Sequence, residues 1–267
     1  MYGNADQKYD EVVLGRRSIR GYLDKPVSRE LIEEVLAMAM RSPSSMNTQP
    51  YHFHVITGEP LDRIRKGNTE RILAGEPDSR EFRKGHPFEG VHRDRQVGCA
   101  IQLFEAMGIG RDDKEKRQDW VLRGFRQFDA PVCVIITYDK ELSGSDDTPF
   151  DCGAVTTALV NAAWSRGLGC VIITYDKELS GSDDTPFDCG AVTTALVNAA
   201  WSRGLGCVIN SQGIMQSPVV REHASIPDDQ VIMKAVAMGW PDPDFPANPV
   251  KITRREVSEA ARFVGFD

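Results

Sequence analysis

Three short segments of the 267-residue sequence carry side chains that could bind an anion or a polar heterocycle. The first, residues 16–20, places three arginines and a serine within five positions. If this segment is extended, alternate side chains share a face, so Arg16, Ser18 and Arg20 could converge on one anion. An exposed basic turn is the alternative interpretation.

The second segment is a loop, residues 43–50, with two serine hydroxyls and two amide side chains between stiffening prolines. An amide side chain both donates and accepts hydrogen bonds, which suits recognition of the edge of a heterocycle. An ordinary polar loop is the alternative. The third segment, residues 251–255, is a basic cluster that is typical of a solvated surface when it stands alone.

The elements that must position these segments follow from periodicity and capping. Ser28 is a suitable N-cap for a helix whose apolar residues, from Leu31 to Met40, share one side. Residues 52–56 and 132–137 have strand patterns. Further helices are predicted over 10–14, 61–73, 96–107 and 114–125 and from Glu256, and further strands over 207–210 and 233–239. Because strands and helices intermix without a regular βαβ cycle, we expect a three-layer α+β domain.

An exact repeat interrupts this pattern, since residues 133–169 recur unchanged as residues 170–206. Solenoid repeats are degenerate and usually more numerous, so we interpret the repeat as one extra strand–loop–helix copy within a single domain, residues 1–267. An insertion costs least in a surface loop. We therefore expect strand 133–137 to stay in the sheet and helix 188–204 to be central. Helix 151–167, capped by Asp151, would lie outside the core with part of loop 174–187.

Composition excludes several classes of protein. The sequence has 32 Lys and Arg against 39 Asp and Glu, a net charge of −7, and 41% hydrophobic residues. This profile is typical of a soluble globular protein and argues against nucleic-acid or membrane binding. With no secretory signal or apolar run of spanning length, we expect a cytoplasmic protein.

The metal-ligating residue types do not form a recognisable metal site. The six cysteines form no CxxC pair, so we interpret them as reduced thiols. His52 and His54 share a strand face without an evident third ligand. We therefore expect structural histidines and no metal.

Together, the Arg-Arg-Ser-x-Arg start and the Pro-Ser-Ser-x-Asn-x-Gln-Pro loop resemble the FMN-dependent nitroreductase family. Supporting matches are residues 108–113, residues 128–132, the alanine-rich helix that ends in Gly-Leu-Gly, and residues 239–248. With one copy of the repeat removed, the resemblance covers nearly the whole chain. It implies a three-layer nitroreductase fold, with a mixed central sheet flanked by helices. It also implies an intertwined homodimer with an FMN at each subunit interface.

The resemblance also implies roles for particular residues. Arg16 and either Arg254 or Arg255 would hold the phosphate, and Arg20 would lie near the N1–C2=O edge of the flavin. Loop 43–50 would come from the partner subunit. The implied cofactor-binding residues are Arg16, Arg17, Ser18, Arg20, Pro43, Ser44, Ser45, Asn47, Gln49, Asn68, Arg71, Gln212, Gly213, Arg254 and Arg255. The implied substrate pocket contains Trp120, Phe125 and Phe128, for which plain core packing is the alternative.

The activity implied by the resemblance needs no dedicated catalytic side chain, because flavin N5 carries the chemistry. NAD(P)H would pass a hydride to the flavin and leave before a nitroaromatic or quinone-like acceptor binds, a ping-pong scheme that yields nitroso and hydroxylamine products. The absence of a Gly-x-Gly-x-x-Gly motif after a strand fits a nicotinamide that no Rossmann unit holds. A same-fold enone reductase, dehalogenase or flavin-fragmenting enzyme is an alternative. So is an FMN-binding module or dimeric scaffold with little turnover.

Overall fold

The computed structural model describes most of the N-terminal two thirds of the chain and parts of the remainder. The described residues are 8–15, 19–23, 25–76, 84–85, 88–142, 144–145, 147–168, 170, 181–182, 185–201, 206–210, 235–239 and 256–266.

The elements alternate irregularly between helix and strand along the chain. The helices are α1 (Tyr9–Gly15), α2 (Arg29–Ala39), α3 (Gly58–Leu73), α4 (Gly90–Ala106), α5 (Lys114–Phe125), α6 (Asp147–Trp164), α7 (Thr185–Trp201) and α8 (Val257–Ala260). The strands are β1 (Tyr51–Thr57), β2 (Lys84–Gly85), β3 (Val132–Tyr138), β4 (Gly181–Ser182), β5 (Gly206–Asn210), β6 (Ala235–Gly239) and β7 (Ala261–Val264). Short 3₁₀ turns lie at Ser45–Asn47, Gln127–Asp129 and Lys140–Leu142.

A small mixed sheet has β1 at its centre, in the order β3-β1-β7. β1 pairs with β3 in antiparallel fashion and with β7 in parallel fashion. The predicted alternation is confirmed over residues 52–55, because Phe53 and Val55 of β1 are buried while His52 and His54 are partly exposed. It ends at Ile56, which is buried as well. The α+β class is confirmed as well, although the strand over 261–264 was not predicted from the sequence.

The main hydrophobic core lies between the sheet, α2 and α6. As predicted, Ser28 caps α2, and its Oγ accepts a hydrogen bond from the backbone N–H of Leu31 at 3.3 Å. α2 then contributes Val35 and Leu36 to the core, both almost fully buried. None of the helices within the described ranges is long and apolar enough to cross a membrane.

Among the elements whose side chains the structure describes, the helix of the first repeat copy is the most deeply buried. In α6, 14 of 18 residues are buried, and the helix packs on α2 and the sheet. The expectation that helix 151–167 lies outside the core is therefore wrong. Asp151 is also not the N-cap, because α6 begins at Asp147 and accommodates Pro149 in its first turn.

Chain connectivity explains why the first copy occupies this position. α6 starts nine residues after β3 ends, whereas α7 starts 47 residues after it. Closing the longer loop costs about 1.5 kcal/mol more, and the two helices are identical in sequence from Thr148 and Thr185 onward. The nearer copy is therefore favoured, while α7 packs on α6 and next to β5. The single-domain organisation over 1–267, with one copy inserted, remains a prediction.

Candidate functional site

The polar loop 43–50 is fastened to the first turns of α6 by two aspartates. The backbone N–H of Ser45 donates to Asp151 Oδ2 at 2.9 Å, and the Ser45 hydroxyl donates to Asp147 Oδ2 at 3.1 Å. Just before the loop, the hydroxyl of Ser42 donates to the carbonyl of Ala154 at 3.3 Å. The loop is thus held by α6, a helix that is largely buried.

The same loop has an unusual backbone. Met46, Asn47 and Gln49 have φ angles of 49°, 60° and 48°, which lie in the left-handed region that non-glycine residues seldom adopt. Ser44 stabilises the turn, because its Oγ accepts from the backbone N–H of Gln49 at 3.0 Å. Strained backbone of this kind is concentrated at ligand clamps and active sites.

The end of the arginine-rich segment is held by α5. Arg123 donates from Nη2 to the backbone carbonyl of Arg20 at 3.3 Å, and Arg20 remains partly exposed. The neighbouring Tyr22 donates to the carbonyl of Ile19 at 2.8 Å. Burial raises the pKa of Tyr22, and Arg20 opposes this increase only in part. Tyr22 is therefore a neutral hydrogen-bond donor over the working pH range.

Two residues of α3 hold the end of α5 and the turn after it. Asn68 donates through Nδ2 to the carbonyl of Phe125 at 3.2 Å, so two predicted site residues are brought together. Arg65 donates to the carbonyls of Arg126, at 3.2 Å, and Ala130. These bonds fix a turn in which Gln127, Phe128 and Asp129 have positive φ angles.

The aromatic residues predicted for the substrate pocket cluster beside this turn. The ring of Trp120 meets Phe128 at a centroid distance of 6.0 Å and Phe104 at 6.4 Å, both edge-on. Phe128 is buried, whereas Trp120 is partly exposed. Trp120 also lines a shallow pocket of about 120 Å³, whose other lining residues are Met107, Ile109, Lys116, Asp119 and Arg123.

The remaining predicted site residues lie on the surface, at the start of loop 43–50 or outside the described part of the chain. Arg71 lies on the surface and forms an ion pair with Glu76 at 3.3 Å. Pro43 begins the anchored loop and is partly buried. Seven predicted residues lie outside the described part of the chain: Arg16, Arg17, Ser18, Gln212, Gly213, Arg254 and Arg255.

His52, His54 and Cys152 have structural surroundings. His52 contacts Asp139 at 3.1 Å and His54 contacts Thr137 at 3.0 Å. Cys152 is buried in α6, where desolvation and the nearby Asp151 raise the pKa of its thiol to about 12. Within the described ranges, no three such residues form a metal-binding group.

Several residues that build the site were not found from the sequence. Asp147 and Asp151 anchor the loop from about a hundred positions away, and Asp151 was predicted only as a helix cap. Arg65 resembles a surface arginine in the sequence, because its carbonyl partners become neighbours only when α3 packs beside α5. Phe104 lies in the predicted helix 96–107, but helical periodicity alone does not indicate that its ring meets Trp120.

Comparison with known proteins identifies relatives over almost the whole chain. The profile of the Nitroreductase family matches residues 13–177 and, in a second match, residues 173–240. A nitrobenzene nitroreductase of Ectopseudomonas oleovorans is 34% identical over 258 residues, 96% of each chain. A chloronitrobenzene nitroreductase of Comamonas testosteroni is 30% identical over 260 residues, again 96% of each.

Solved structures agree at the level of the fold. The FMN and NADPH-dependent nitroreductase NfnB from Sphigopyxis sp. strain HMH is 23% identical and superposes with a TM-score of 0.53, over 97% of this chain and all of that one. The match to the family profile and the two nearly full-length relatives identify the same family as this structural likeness. The chain belongs to the nitroreductase family.

Proposed function

We propose that the chain is an FMN-dependent enzyme that uses NAD(P)H to reduce nitroaromatic compounds. The observation that carries the proposal is the structure of loop 43–50, one of the two most specific motifs of the resemblance. This loop is hydrogen-bonded to α6 and has a left-handed backbone at three residues. The names of relatives that match over nearly their full length support the same activity.

The donor set of the loop fits the edge of a flavin ring. Asn47 and Gln49 bring amide groups, a type of side chain that donates to carbonyls and accepts from N–H groups such as those of the flavin edge. The Gln49 amide also donates within the loop, from Nε2 to the backbone carbonyl of Asn47 at 3.3 Å. Ser45 plays a different part in this arrangement, because its N–H and hydroxyl hydrogen are already donated to Asp151 and Asp147. We therefore assign Ser45 to positioning of the loop. When bound, FMN supplies the two-electron chemistry, oxidising NAD(P)H and reducing the nitro group in successive half-reactions.

Arg20 provides the positive charge that a reduced, anionic flavin requires. Its backbone is held by Arg123, so the cation depends on the position of α5. The loop, in contrast, is held by α6. The resemblance to the family implies a three-layer homodimer in which each flavin contacts both subunits, and we include this arrangement in the proposal.

The aromatic acceptor would lie near Trp120, whose partly exposed face adjoins the pocket described above. An electron-poor nitroarene stacks favourably on an indole, and edge-on contacts with Phe104 and Phe128 hold that ring in place. We propose that NAD(P)H and the acceptor use the same space in turn. Double-reciprocal plots at several acceptor concentrations are then parallel lines, and the products are the nitroso and hydroxylamine compounds.

Anaerobic mixing of the FMN-loaded protein with NADPH tests the proposal. We expect bleaching of the visible flavin band and its return when nitrobenzene is added. Asn47→Ala and Gln49→Ala should weaken FMN binding at least ten-fold, whereas Thr48→Ala, an exposed change in the same loop, should not. Protein that binds FMN but is not bleached would instead support a binding module without turnover, and protein that takes up no FMN would contradict the proposal.

A further inference from the structure

The pocket beside Trp120 has three charged side chains in its wall, and two of them already have partners of opposite charge. Lys116 Nζ lies 3.2 Å from a carboxylate oxygen of Asp113. The backbone N–H and the ammonium group of Lys116 hold the pKa of Asp113 below its usual value, so this carboxylate is ionised near neutral pH. Asp119 in turn lies 3.3 Å from Nη2 of Arg126. The charges of Lys116 and Asp119 are therefore compensated.

Arg123 is the third charged side chain of the pocket, and its charge has no such partner. Within the part of the chain that the structure describes, no carboxylate forms an ion pair with it. A guanidinium has five N–H donors, of which Arg123 donates one, from Nη2, to the backbone carbonyl of Arg20 at 3.3 Å. Its Nε is buried and has no hydrogen-bond partner among the described residues. Because a partly buried charge without a partner is costly, this guanidinium favours a bound anion.

The other walls of the pocket suit an aromatic ring. Met107 and Ile109 contribute apolar side chains, and Trp120 contributes an indole that is held by edge-on contacts with two phenylalanines. The volume of about 120 Å³ is close to the roughly 150 Å³ of an engineered protein cavity that binds benzene. One benzene ring with small substituents therefore matches the pocket, whereas a dinucleotide is far larger.

We propose that Arg123 determines the acceptor preference of the enzyme by binding a carboxylate on the nitroaromatic ring. This inference rests on the proposed function and names the class of acceptor within it. The ring packs against Trp120, and the carboxylate accepts hydrogen bonds from the guanidinium of Arg123. Such charge-assisted bonds are stronger than any that an uncharged nitroarene makes at the same place, so nitrobenzoates are preferred to nitrobenzene.

The test is a ratio, measured on the FMN-loaded protein with NADPH. The kcat/KM for the better of 3-nitrobenzoate and 4-nitrobenzoate is divided by the kcat/KM for nitrobenzene. All three acceptors draw on the same reduced flavin, so a defect that a change at Arg123 transmits to the flavin site through Arg20 cancels in the ratio. We expect a ratio above one in the native chain, a fall of about ten-fold or more in Arg123→Met, and a smaller fall in Arg123→Lys, which keeps the charge.

The two compensated charges provide matched controls. Lys116→Met removes a positive charge from the same pocket wall, and Asp119→Asn removes a negative one. Because each of these charges is exposed and paired, the ratio should change by less than about three-fold in either variant. A native ratio of one or below would overturn the proposal. So would a fall in Lys116→Met as large as that in Arg123→Met, since this result would indicate a general charge effect.

Isothermal titration of the oxidised protein without NADPH measures the same preference in the absence of turnover. The Kd of the nitrobenzoate should rise about ten-fold or more in Arg123→Met, while the Kd of nitrobenzene stays near its native value. Protein that shows this preference but is not bleached by NADPH would support the carboxylate site and contradict the reductase function. Protein that is bleached but has no preference would contradict the role of Arg123 alone. A raised KM for NADPH in Arg123→Met, with an unchanged acceptor ratio, would overturn the proposal and assign the guanidinium to a phosphate of the nucleotide.

Discussion

The aspartates that anchor loop 43–50 allow a prediction with an internal control. Asp151 is only 4% exposed, and its carboxylate accepts the Ser45 N–H at 2.9 Å. A hydrogen bond to a charged, buried partner contributes about 1.5–3 kcal/mol, and Asp151→Ala also leaves the Ser45 N–H without its acceptor. We expect the free energy of unfolding to fall by about 2–3 kcal/mol, which lowers the Tm by about 5–10 °C.

The repeat provides the control, because Asp188 occupies the identical local sequence in the second copy. Asp188→Ala makes the same chemical change and leaves the bond between Ser45 and Asp151 intact. Urea unfolding followed by circular dichroism measures stability, and fluorescence titration measures FMN affinity. We expect FMN binding to weaken at least ten-fold in Asp151→Ala and to stay near the native value in Asp188→Ala. Equal losses of stability and of FMN affinity in the two variants would refute the anchoring argument.

Three further predictions concern stability. Arg65→Met should lower the free energy of unfolding by about 2 kcal/mol in urea titrations, because the carbonyls of residues 126 and 130 lose their donor. The control Arg63→Met, which removes only an exposed ion pair, should lower it by less than about 0.5 kcal/mol. Gly98→Ala should raise the Tm, since alanine favours a helix by about 1 kcal/mol over glycine and the space around Gly98 is open. Gly153→Ala should lower the free energy of unfolding by about 1–3 kcal/mol, because the added methyl group collides with the backbone of α7. Burial raises the pKa of Cys152 to about 12, so the thiol ionises at lower pH in the unfolded chain than in the folded one. The free energy of unfolding, measured in unfolding titrations, should therefore be highest below about pH 9 and fall by up to about 1.4 kcal/mol per pH unit toward pH 12. Cys152→Ala should reduce this slope.

The sequence predicted those parts of the fold that depend on local physics. The alternation over residues 52–56 gave the central strand, and Ser28 gave the start of α2, because periodicity and capping depend on neighbours within a few positions. The loop motif at 43–50 located the candidate site through its resemblance to a family. Its conformation was not predictable, since the left-handed residues are stabilised by aspartates that are remote in the sequence.

The position of the repeat could not be derived from residue types, because both copies have the same ones. The prediction weighed where an insertion is tolerated and placed the second helix at the centre. The structure follows loop length instead, with α6 close behind β3. The role of Arg65 could not be predicted for a related reason. Its hydrogen-bond partners are backbone carbonyls, which every residue has, so no residue type in the sequence identifies them.

The identity of α6 and α7 has a consequence for biosynthesis. A ribosome adds about 5–20 residues per second, so the first helix is complete roughly 2–8 seconds before the second exists, whereas a helix forms within microseconds. The first copy can settle against β1 and α2 without a competitor. Refolding from denaturant removes this head start, because both helices then compete for one place on the sheet. Newly made chains should therefore reach the native arrangement more uniformly than refolded ones.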